Sequence, residues 1–208
     1  MVPITLEVWS DVACPWCFIG SRHLATALDA SEIPVAVRWR AFQLDPTLGY
    51  EGVPAAERLA AKFGDEAVYR SAAARVTDIG AAVGIDFDTD SQIATNTGRA
   101  HQLVAAADEE DLADEMVAAL FSAYFEQGRH IGDPAILTEV ATAVGLDDAA
   151  TVVDDVLADR WAESVAADVA DAADLGIRGV PTFVAERRVA VSGAVPPETL
   201  GVLFERVR

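Results

Sequence analysis

The chain has only two cysteines, Cys14 and Cys17, and they constrain its fold most strongly because they stand where a β-prone run meets a helical one. Residues 3–9 (PITLEVW) are β-prone and partly alternate between apolar and polar side chains, which indicates a strand. Residues 15–30 (PWCFIGSRHLATALDA) have the spacing of an amphipathic helix. A second β-prone run follows at residues 33–42. The sequence therefore predicts a βαβ unit whose helix begins at the cysteine motif.

A helix that begins at Cys14 makes the two thiols unequal. The first sulfur lies at the positive end of the helix dipole, which favours a thiolate by up to about 2 kcal/mol. The second sulfur lies one turn further in. We therefore expect Cys14 to be alkylated rapidly, and Cys17 to face inward and react slowly. The residues between them, Pro15 and Trp16, supply no cation, so we expect an intermediate redox poise.

Three interpretations of the cysteine pair are open. A metal site needs about four ligands, and the histidines that could complete one, His23, His101 and His130, are scattered without a second cysteine pair. Two inert core cysteines rarely fall together at a strand-to-helix turn with a proline between them. Dithiol redox chemistry fits both the spacing and the position. We favour it and expect no metal and no organic cofactor.

The rest of the chain divides into a helical middle and an end that contains strands. Ala-rich helical segments fill residues 54–155, where four to six helices fit and strands do not. One more helix is expected from about residue 155 to 174. Residues 182–185 (TFVA) and 189–193 (VAVSG) predict a hairpin, and residues 195–207 (VPPETLGVLFERV) predict a closing helix.

Composition narrows the choice of partners. With 52% hydrophobic and 24% charged residues, the chain is expected to be a folded globular protein. Its formal net charge of −19 would repel nucleic-acid phosphates and anionic lipid headgroups, so we expect neither as a partner.

The N-terminus lacks the features of a signal peptide, and no run is long and apolar enough to span a bilayer. We therefore expect a cytoplasmic protein, in which a close thiol pair is more often catalytic, redox-sensing or metal-binding than structural.

Several stretches of the sequence, in this order, resemble one family. They are CPWCFIG (14–20), WRAFQLDP (39–46), NTGRAHQLVAAA (96–107), LFSAYFEQGRHIGD (120–133), GVPTFV (179–184) and SGAVPPETL (192–200). Together they resemble the DsbA-like branch of the thioredoxin superfamily, and most closely the FrnE-type dithiol-disulfide oxidoreductases. The resemblance implies an α/β protein in which a thioredoxin fold is interrupted by an inserted all-helical domain. The thioredoxin-like domain would comprise residues 1–52 and 156–208, and the inserted domain residues 53–155.

The resemblance also implies roles for the residues of a redox site. Cys14 would be the nucleophile and Cys17 the resolving cysteine. Pro181 would be a cis-proline that faces the disulfide, and Val180 before it would tune reactivity and hold the substrate backbone. Glu7 falls near the place where relatives keep a buried acid, which implies that it handles the proton of the resolving cysteine.

Three more residues complete the predicted site. Pro15 belongs to the motif itself. Trp16 also lies inside the motif and is expected at its exposed rim, where it can contact a substrate. His101 lies in a stretch that resembles the family, so we expect it to line the cleft beside Cys14. A hydrogen-bonded structural histidine is the open alternative.

These features predict a thiol-disulfide oxidoreductase that acts through a mixed disulfide at Cys14, which Cys17 resolves. Its expected partner is a thiol or disulfide substrate, either a protein or glutathione, and the protein is expected to be a monomer or a homodimer. One alternative is a glutathione-dependent isomerase of an aromatic compound, similar to the hydroxychromene-carboxylate isomerases, although those usually carry serine where Cys14 stands. A second alternative is a non-catalytic holdase or polypeptide-binding module.

Overall fold

The structure is a computed structural model that describes residues 2–58, 64 and 66–208. Its strands are β1 (Ile4–Ser10), β2 (Val35–Ala41), β3 (Val53–Pro54), β4 (Ile93–Ala94), β5 (Thr182–Ala185) and β6 (Val189–Ser192). Its helices are α1 (Pro15–Asp29), α2 (Glu66–Ala81), α3 (Gly98–Asp108), α4 (Ala113–Phe125), α5 (Pro134–Val144), α6 (Ala149–Leu157), α7 (Ala162–Asp174) and α8 (Pro197–Val207). Within these ranges no helix has both the length and the apolar character that a membrane span requires.

A four-stranded sheet joins the two ends of the chain, in the order β2-β1-β5-β6. Strand β1 pairs in parallel with β2, and α1 forms the connection between them. On its other side β1 pairs antiparallel with β5, which pairs antiparallel with β6. The tight turn between β5 and β6 contains Glu186 and Arg187, which take φ values of 52° and 50°, as hairpin turns require. The predicted βαβ unit, the hairpin and the α/β thioredoxin fold are therefore confirmed.

Helices cover both faces of this sheet. One face is covered by α1 and α8, and its core consists of Leu6, Val8, Leu24, Phe183, Leu200, Leu203 and Phe204. On the opposite face Trp9 packs against Ala172 of α7. Because side chains alternate along a strand, neighbouring residues of β1 belong to different layers. We call these two surfaces the α1 face and the α7 face.

The helical middle is packed directly onto the helix that carries the cysteines. Phe18 of α1 stacks on Phe121 of α4, with ring centroids 5.1 Å apart, and meets Phe87 edge-on at 6.0 Å. Such aromatic pairs contribute roughly 0.5–1.5 kcal/mol beyond the area that they bury. The redox helix is thus anchored in both parts of the molecule. The domain boundaries at residues 53 and 155 stay a prediction.

Two details of the predicted middle segment are wrong. Strands were not expected there, but β3 and β4 form a ladder of two residue pairs, which is too short to leave an alternating pattern in the sequence. The single helix predicted over residues 155–174 is interrupted, because α6 ends at Leu157 and α7 begins at Ala162. Between them Asp159 takes a left-handed φ of 60°, which a continuing helix does not tolerate.

Candidate active site

The cysteine motif occupies the turn between β1 and α1. After Ser10 the chain turns so that the Cys14 N–H donates to the Asp11 carbonyl at 2.9 Å. Cys14 is the N-cap of α1, with an extended backbone (φ −99°, ψ 114°), and Pro15 follows in the first turn, where an N–H would have no helical partner. The Cys17 N–H donates to the Cys14 carbonyl at 3.0 Å. The turn therefore places Cys14 at the helix N-terminus, as predicted.

The two thiols are both buried and both free, but their surroundings differ. Cys14 is 3% exposed and Cys17 is 1% exposed. The Cys14 thiol donates to the Val180 carbonyl at 3.6 Å and lines a cavity, whereas Cys17 is absent from the described residues that line it. A ligand in that cavity can therefore contact Cys14, whereas Cys17 is not among the described residues that it would meet.

The loop opposite the cysteines contains a cis peptide bond between Val180 and Pro181, so the predicted cis-proline is confirmed. The Pro181 ring packs so closely on α1 that a Cβ added at Gly20 would lie 3.0 Å from its Cγ. On the other side the Pro181 carbonyl accepts from the Gly193 N–H at 2.8 Å. These contacts fix the loop beside Cys14. The substrate-binding roles of Val180 and Pro181 stay predictions.

The environment of Cys17 keeps its thiol protonated. Burial raises the pKa of Cys17 well above its ordinary value, and a hydrogen bond and the charge of Cys14 raise it further. The backbone of Asp11 and the hydroxyl of Ser10 act on the same pKa in the opposite direction and are outweighed. Cys17 therefore stays a neutral thiol when Cys14 carries a negative charge, and it must lose its proton before it can act as a nucleophile.

A cavity of about 400 Å³ lies over the motif. One wall consists of Ala13, Cys14, Pro15, Trp16, Gly179 and Val180, and the opposite wall comes from the helical middle, including Ala72, Val76, Phe87, Tyr124 and Phe125. Most of these side chains are apolar. Arg58 and Asp45 also line the cavity. They form an ion pair, with Arg58 Nη2 2.5 Å from Asp45 Oδ2. The site can thus hold a small ligand that has both an apolar part and charged groups.

Trp16 is half-buried at one side of this cavity. It also lines a shallow depression together with Val68, Ser71 and Ala72 of α2. The prediction that Trp16 lies at the rim of the motif agrees with this position. Its role in substrate contact stays a prediction.

His101 lies behind the motif and is absent from the described residues that line the Cys14 cavity. Its Nε2 is 3.0 Å from the Phe42 carbonyl and 3.5 Å from Asp11 Oδ1. It lines a separate cavity of about 280 Å³ together with Trp39 and other residues. The structure therefore does not place His101 beside Cys14 and favours the alternative interpretation, a hydrogen-bonded structural histidine.

Glu7 is also placed away from the cysteines, on the α7 face of the sheet. Its carboxylate contacts Arg40 Nη2 at 2.5 Å and Arg187 Nε at 2.8 Å. Burial would raise the pKa of Glu7, but hydrogen bonds from Arg187 and Arg40 outweigh it and lower the pKa. The same arginines pair with Asp168 and Asp171 of α7. A carboxylate held in this network joins strands to a helix, and the geometry gives no support to the proton-handling role.

Sequence reasoning missed Asp11, which is 1% exposed. Its carboxylate accepts from the Ala13 N–H at 3.2 Å and from the Leu44 N–H at 2.7 Å. Asp11 therefore joins the turn before Cys14 to the loop after β2 at the edge of the cavity. An Asp directly after a strand often accepts hydrogen bonds from nearby backbone N–H groups. This position in the sequence could have predicted the role of Asp11.

Asn96 was noted only as part of the family resemblance, and it has a structural role. Its Oδ1 accepts from Gln43 Nε2 at 2.9 Å, and its Nδ2 donates to the carbonyls of Pro46 and Leu48 at 3.1 and 2.9 Å. The amide thus fixes the loop that supplies Leu48 and Asp45 to the cavity wall.

Among the residues that the structure describes, no group of three or more His, Cys, Asp or Glu side chains could hold a metal ion.

Comparison with known proteins places the chain in a family. The model of the DSBA-like thioredoxin domain matches residues 5–204, so the chain belongs to that family. It is 33% identical to a probable DsbA oxidoreductase of Streptomyces coelicolor, whose structure it matches with a TM-score of 0.90 over 98% of this chain and 89% of that one.

Two further relatives are more distant. The structure of the cytosolic disulfide reductase DsbM of Pseudomonas aeruginosa matches with a TM-score of 0.73 at 21% identity, over 98% of each chain. YwbO of Bacillus subtilis (strain 168), described as uncharacterized, is 28% identical over 159 residues, which cover 70% of this chain and 68% of YwbO. The predicted fold and the predicted DsbA-like family are thus confirmed.

Proposed function

We propose that the protein is a thiol-disulfide oxidoreductase in which Cys14 is the nucleophile and Cys17 the resolving cysteine. The observation that carries the proposal is the asymmetry of the pair. Cys14 caps a helix and lines the cavity, whereas Cys17 lies deeper and has a raised pKa. Membership of the DSBA-like family supports the same chemistry.

In the reducing direction the Cys14 thiolate attacks one sulfur of a substrate disulfide and releases the first substrate thiolate. Cys17 then loses its proton and attacks the Cys14 sulfur of the mixed disulfide, which releases the second thiolate and leaves a Cys14–Cys17 disulfide. The substrate gains two electrons and the dithiol loses them. The oxidising direction is the same sequence in reverse, and glutathione or a partner reductase would restore the starting state.

Glutathione is the substrate that we propose for the cavity. A volume of about 400 Å³ lies within the usual range for small-molecule sites. Arg58 can pair with a carboxylate of glutathione in exchange for Asp45 or beside it, because its side chain is 42% exposed. The structure of DsbM from Pseudomonas aeruginosa, 23% identical to this chain, was solved with GSH.

The test is to trap the mixed disulfide. The variant Cys17→Ser, incubated with oxidised glutathione, should retain one glutathione per chain, detected as a mass increase that dithiothreitol removes. Cys14→Ser is the matched control and should retain none. In the wild-type reduced protein, brief alkylation should label Cys14 and leave Cys17 unlabelled. Glutathione on Cys17 in the Cys14→Ser variant, or equal labelling of the two thiols, would contradict the assigned roles.

A glutathione-dependent isomerase is the second candidate, because the lining of the cavity is mostly apolar and suits an aromatic compound. A 2-hydroxychromene-2-carboxylate isomerase shares the fold, with a TM-score of 0.73 at 15% identity. Cys17 separates the two functions. Disulfide reduction of insulin should be lost in Cys17→Ser, whereas isomerisation, which transfers no electrons to the protein, would survive that substitution. A holdase would survive both Cys14→Ser and Cys17→Ser.

The cellular setting is part of the proposal. We place the protein in the cytoplasm, in agreement with the cytosolic name of the Pseudomonas aeruginosa relative, and among the FrnE-type enzymes on the motifs quoted above. We also retain residues 53–155 as the inserted helical domain. That division accounts for the cavity, whose walls come from the motif on one side and from this segment on the other.

A further inference from the structure

At the end of β1, just before the cysteine motif, two hydrogen-bond donors are buried. The first is the hydroxyl of Ser10, the last residue of β1, whose side chain is on the α1 face together with Leu6 and Val8. The second is the backbone N–H of Asp11, at the turn that follows. Ser10 is 5% exposed and Asp11 is 1% exposed, so both donors are buried, and Ser10 also borders the cavity that His101 lines.

Neither donor is used elsewhere. The Ser10 hydroxyl is buried and makes no hydrogen bond within the described residues. The Asp11 N–H donates to no oxygen of the backbone or of a side chain in the same part of the chain. Buried donors without a partner are uncommon in folded proteins, and each calls for a physical explanation. Both groups lower the pKa of Cys17, against the larger effect of burial, so they act on its sulfur.

We propose that the Ser10 hydroxyl and the Asp11 N–H form a thiolate cradle, which stabilises negative charge on the Cys17 sulfur while its bond to Cys14 breaks or forms. The proposal rests on the oxidoreductase function proposed above. It adds Ser10 as a catalytic residue, because in this step its hydroxyl would donate to the reacting sulfur.

The cradle acts in one step of the reaction. When a substrate thiolate attacks Cys14 in the Cys14–Cys17 disulfide, an S–S bond to the substrate forms, and the electron pair of the broken bond passes to Cys17. A charge developing in so buried a position is costly unless donors already face it. In the reverse step Cys17 must lose its proton and attack as a thiolate, so the same donors face the same charge.

The donors are held in place before the charge appears. The Ser10 carbonyl accepts from the Phe42 N–H at 3.0 Å within the sheet, and the Asp11 carbonyl accepts from the Cys14 N–H at 2.9 Å. A thiol sulfur is a weak acceptor and a thiolate is a strong one. The donors therefore gain most in the charged transition state and little in the neutral dithiol, which is the condition for catalysis.

The cradle predicts a change in rate without a change in equilibrium. Near neutral pH Cys17 is a neutral thiol in the reduced protein, because its pKa is raised. Removing the hydroxyl should then slow the reduction of the protein disulfide and its re-formation by the same factor. We expect Ser10→Ala to slow both by at least about tenfold. The redox equilibrium with glutathione should stay unchanged.

The measurement uses the full-length oxidised protein and dithiothreitol, which reduces accessible disulfides whether or not glutathione is a substrate. Stopped-flow fluorescence follows the reduction, and equilibration in glutathione buffers gives the redox equilibrium. Ser21→Ala is the matched control, because it removes a hydroxyl that bonds to the Phe18 carbonyl one turn further along α1. It should change neither quantity. Equal rates in Ser10→Ala and wild type, or equal slowing by Ser21→Ala, would overturn the proposal.

A slower reaction of Ser10→Ala could also come from lower stability of the variant. A second measurement distinguishes this from the loss of the donor. In a Cys14→Ala background Cys17 is the one remaining thiol of the chain, and its thiolate absorbance can be titrated. The Asp11 carboxylate and His101, which lie 3.5 Å apart, are the same in both proteins. Adding Ser10→Ala should raise the pKa of Cys17. An unchanged titration would overturn the cradle but leave the oxidoreductase function intact, whereas failure to trap glutathione at Cys14 would count against that function.

Discussion

The two faces of the central sheet are held to their helices by different forces. On the α1 face the contacts are apolar, and the rings of Phe183 and Phe204 are completely buried against α1 and α8. On the α7 face Trp9 provides an apolar contact, but beside it lies the ion network of Glu7, Arg40, Asp168, Arg187 and Asp171. The cysteines belong to the apolar side.

The difference teaches how stability and chemistry are separated in this fold. Apolar packing is strong and non-directional, so it holds the redox helix on the sheet without ion pairs between the two. Ion pairs have a preferred geometry and a desolvation cost, so they orient α7 but contribute less to stability. Charge changes on the α7 face should therefore alter stability without altering the redox reaction.

The largest effect is expected on the α1 face. Phe183→Ala removes a fully buried ring from the core between the sheet, α1 and α8, and large-to-small substitutions of this kind cost about 3–5 kcal/mol. Urea unfolding measures this loss. Val202→Ala on α8 is the control, because Val202 is 53% exposed, and its change should stay within about 0.5 kcal/mol. A loss below about 1 kcal/mol for Phe183→Ala would mean that this face is not the main source of stability.

The next effect tests the charged face and the role implied for Glu7 together. Glu7→Gln leaves Arg40 and Arg187 without their shared anion, and we expect a loss of roughly 1–3 kcal/mol, limited by the partial exposure of both arginines. Insulin reduction, measured well below the unfolding temperature, should be unchanged. Activity as low as that of Cys17→Ser would restore the proton-handling role and contradict the separation of the two faces.

Glu7 shows where sequence reasoning could succeed and where it could not. The strand, the helix that begins at Cys14 and the cis-proline followed from local patterns and from the family resemblance, and all three are present. The family resemblance suggested Glu7, in the strand before the motif, as the buried acid. A shift of one residue along a strand reverses the face, and no local signal fixes that register. Ser10, three residues further along, falls on the cysteine side instead.

His101 illustrates a second limit. Its stretch of sequence was a correct sign of the family, but which cavity a helix side chain faces depends on how α3 rotates against the sheet. The contacts that decide this rotation, to the Phe42 carbonyl and Asp11, come from residues about 60 and 90 positions away in the chain. The walls of the Cys14 cavity were unpredictable for the same reason, since they join the motif to residues of the helical middle.

Acid should weaken the charged face through Glu7. The pKa of Glu7 lies below its ordinary value of 4.5, so the folded state binds the proton less readily than the unfolded chain. Its contribution is therefore complete above about pH 4.5 and is lost as the pH falls through the lower folded value. Burial shifts the pKa of Asp168 upward, so that residue stabilises the fold at low pH and partly hides the loss.

The comparison of wild type with Glu7→Gln isolates the contribution of Glu7. The difference in their free energies of unfolding should be constant above pH 4.5 and should shrink below it. Urea unfolding at a series of pH values measures it. A difference that stays constant as the pH falls would mean that the arginines do not hold Glu7 ionised.

The smallest effect is expected at the outer end of the network, where Asp171 of α7 pairs with Arg187. The Arg187 side chain is 49% exposed and that of Asp171 is 29% exposed, so water screens this pair more than it screens Glu7. Exposed pairs contribute about 0–1 kcal/mol. Asp171→Asn should therefore cost less than Glu7→Gln, and added salt should remove its effect first, because mobile ions reach the outer pair. Urea unfolding of both variants at low and high salt measures the difference. The opposite result would be an equal loss of unfolding free energy in Asp171→Asn and Glu7→Gln, with no effect of salt on either. It would show that the whole network holds α7, and that the outer pair contributes as much as the buried carboxylate.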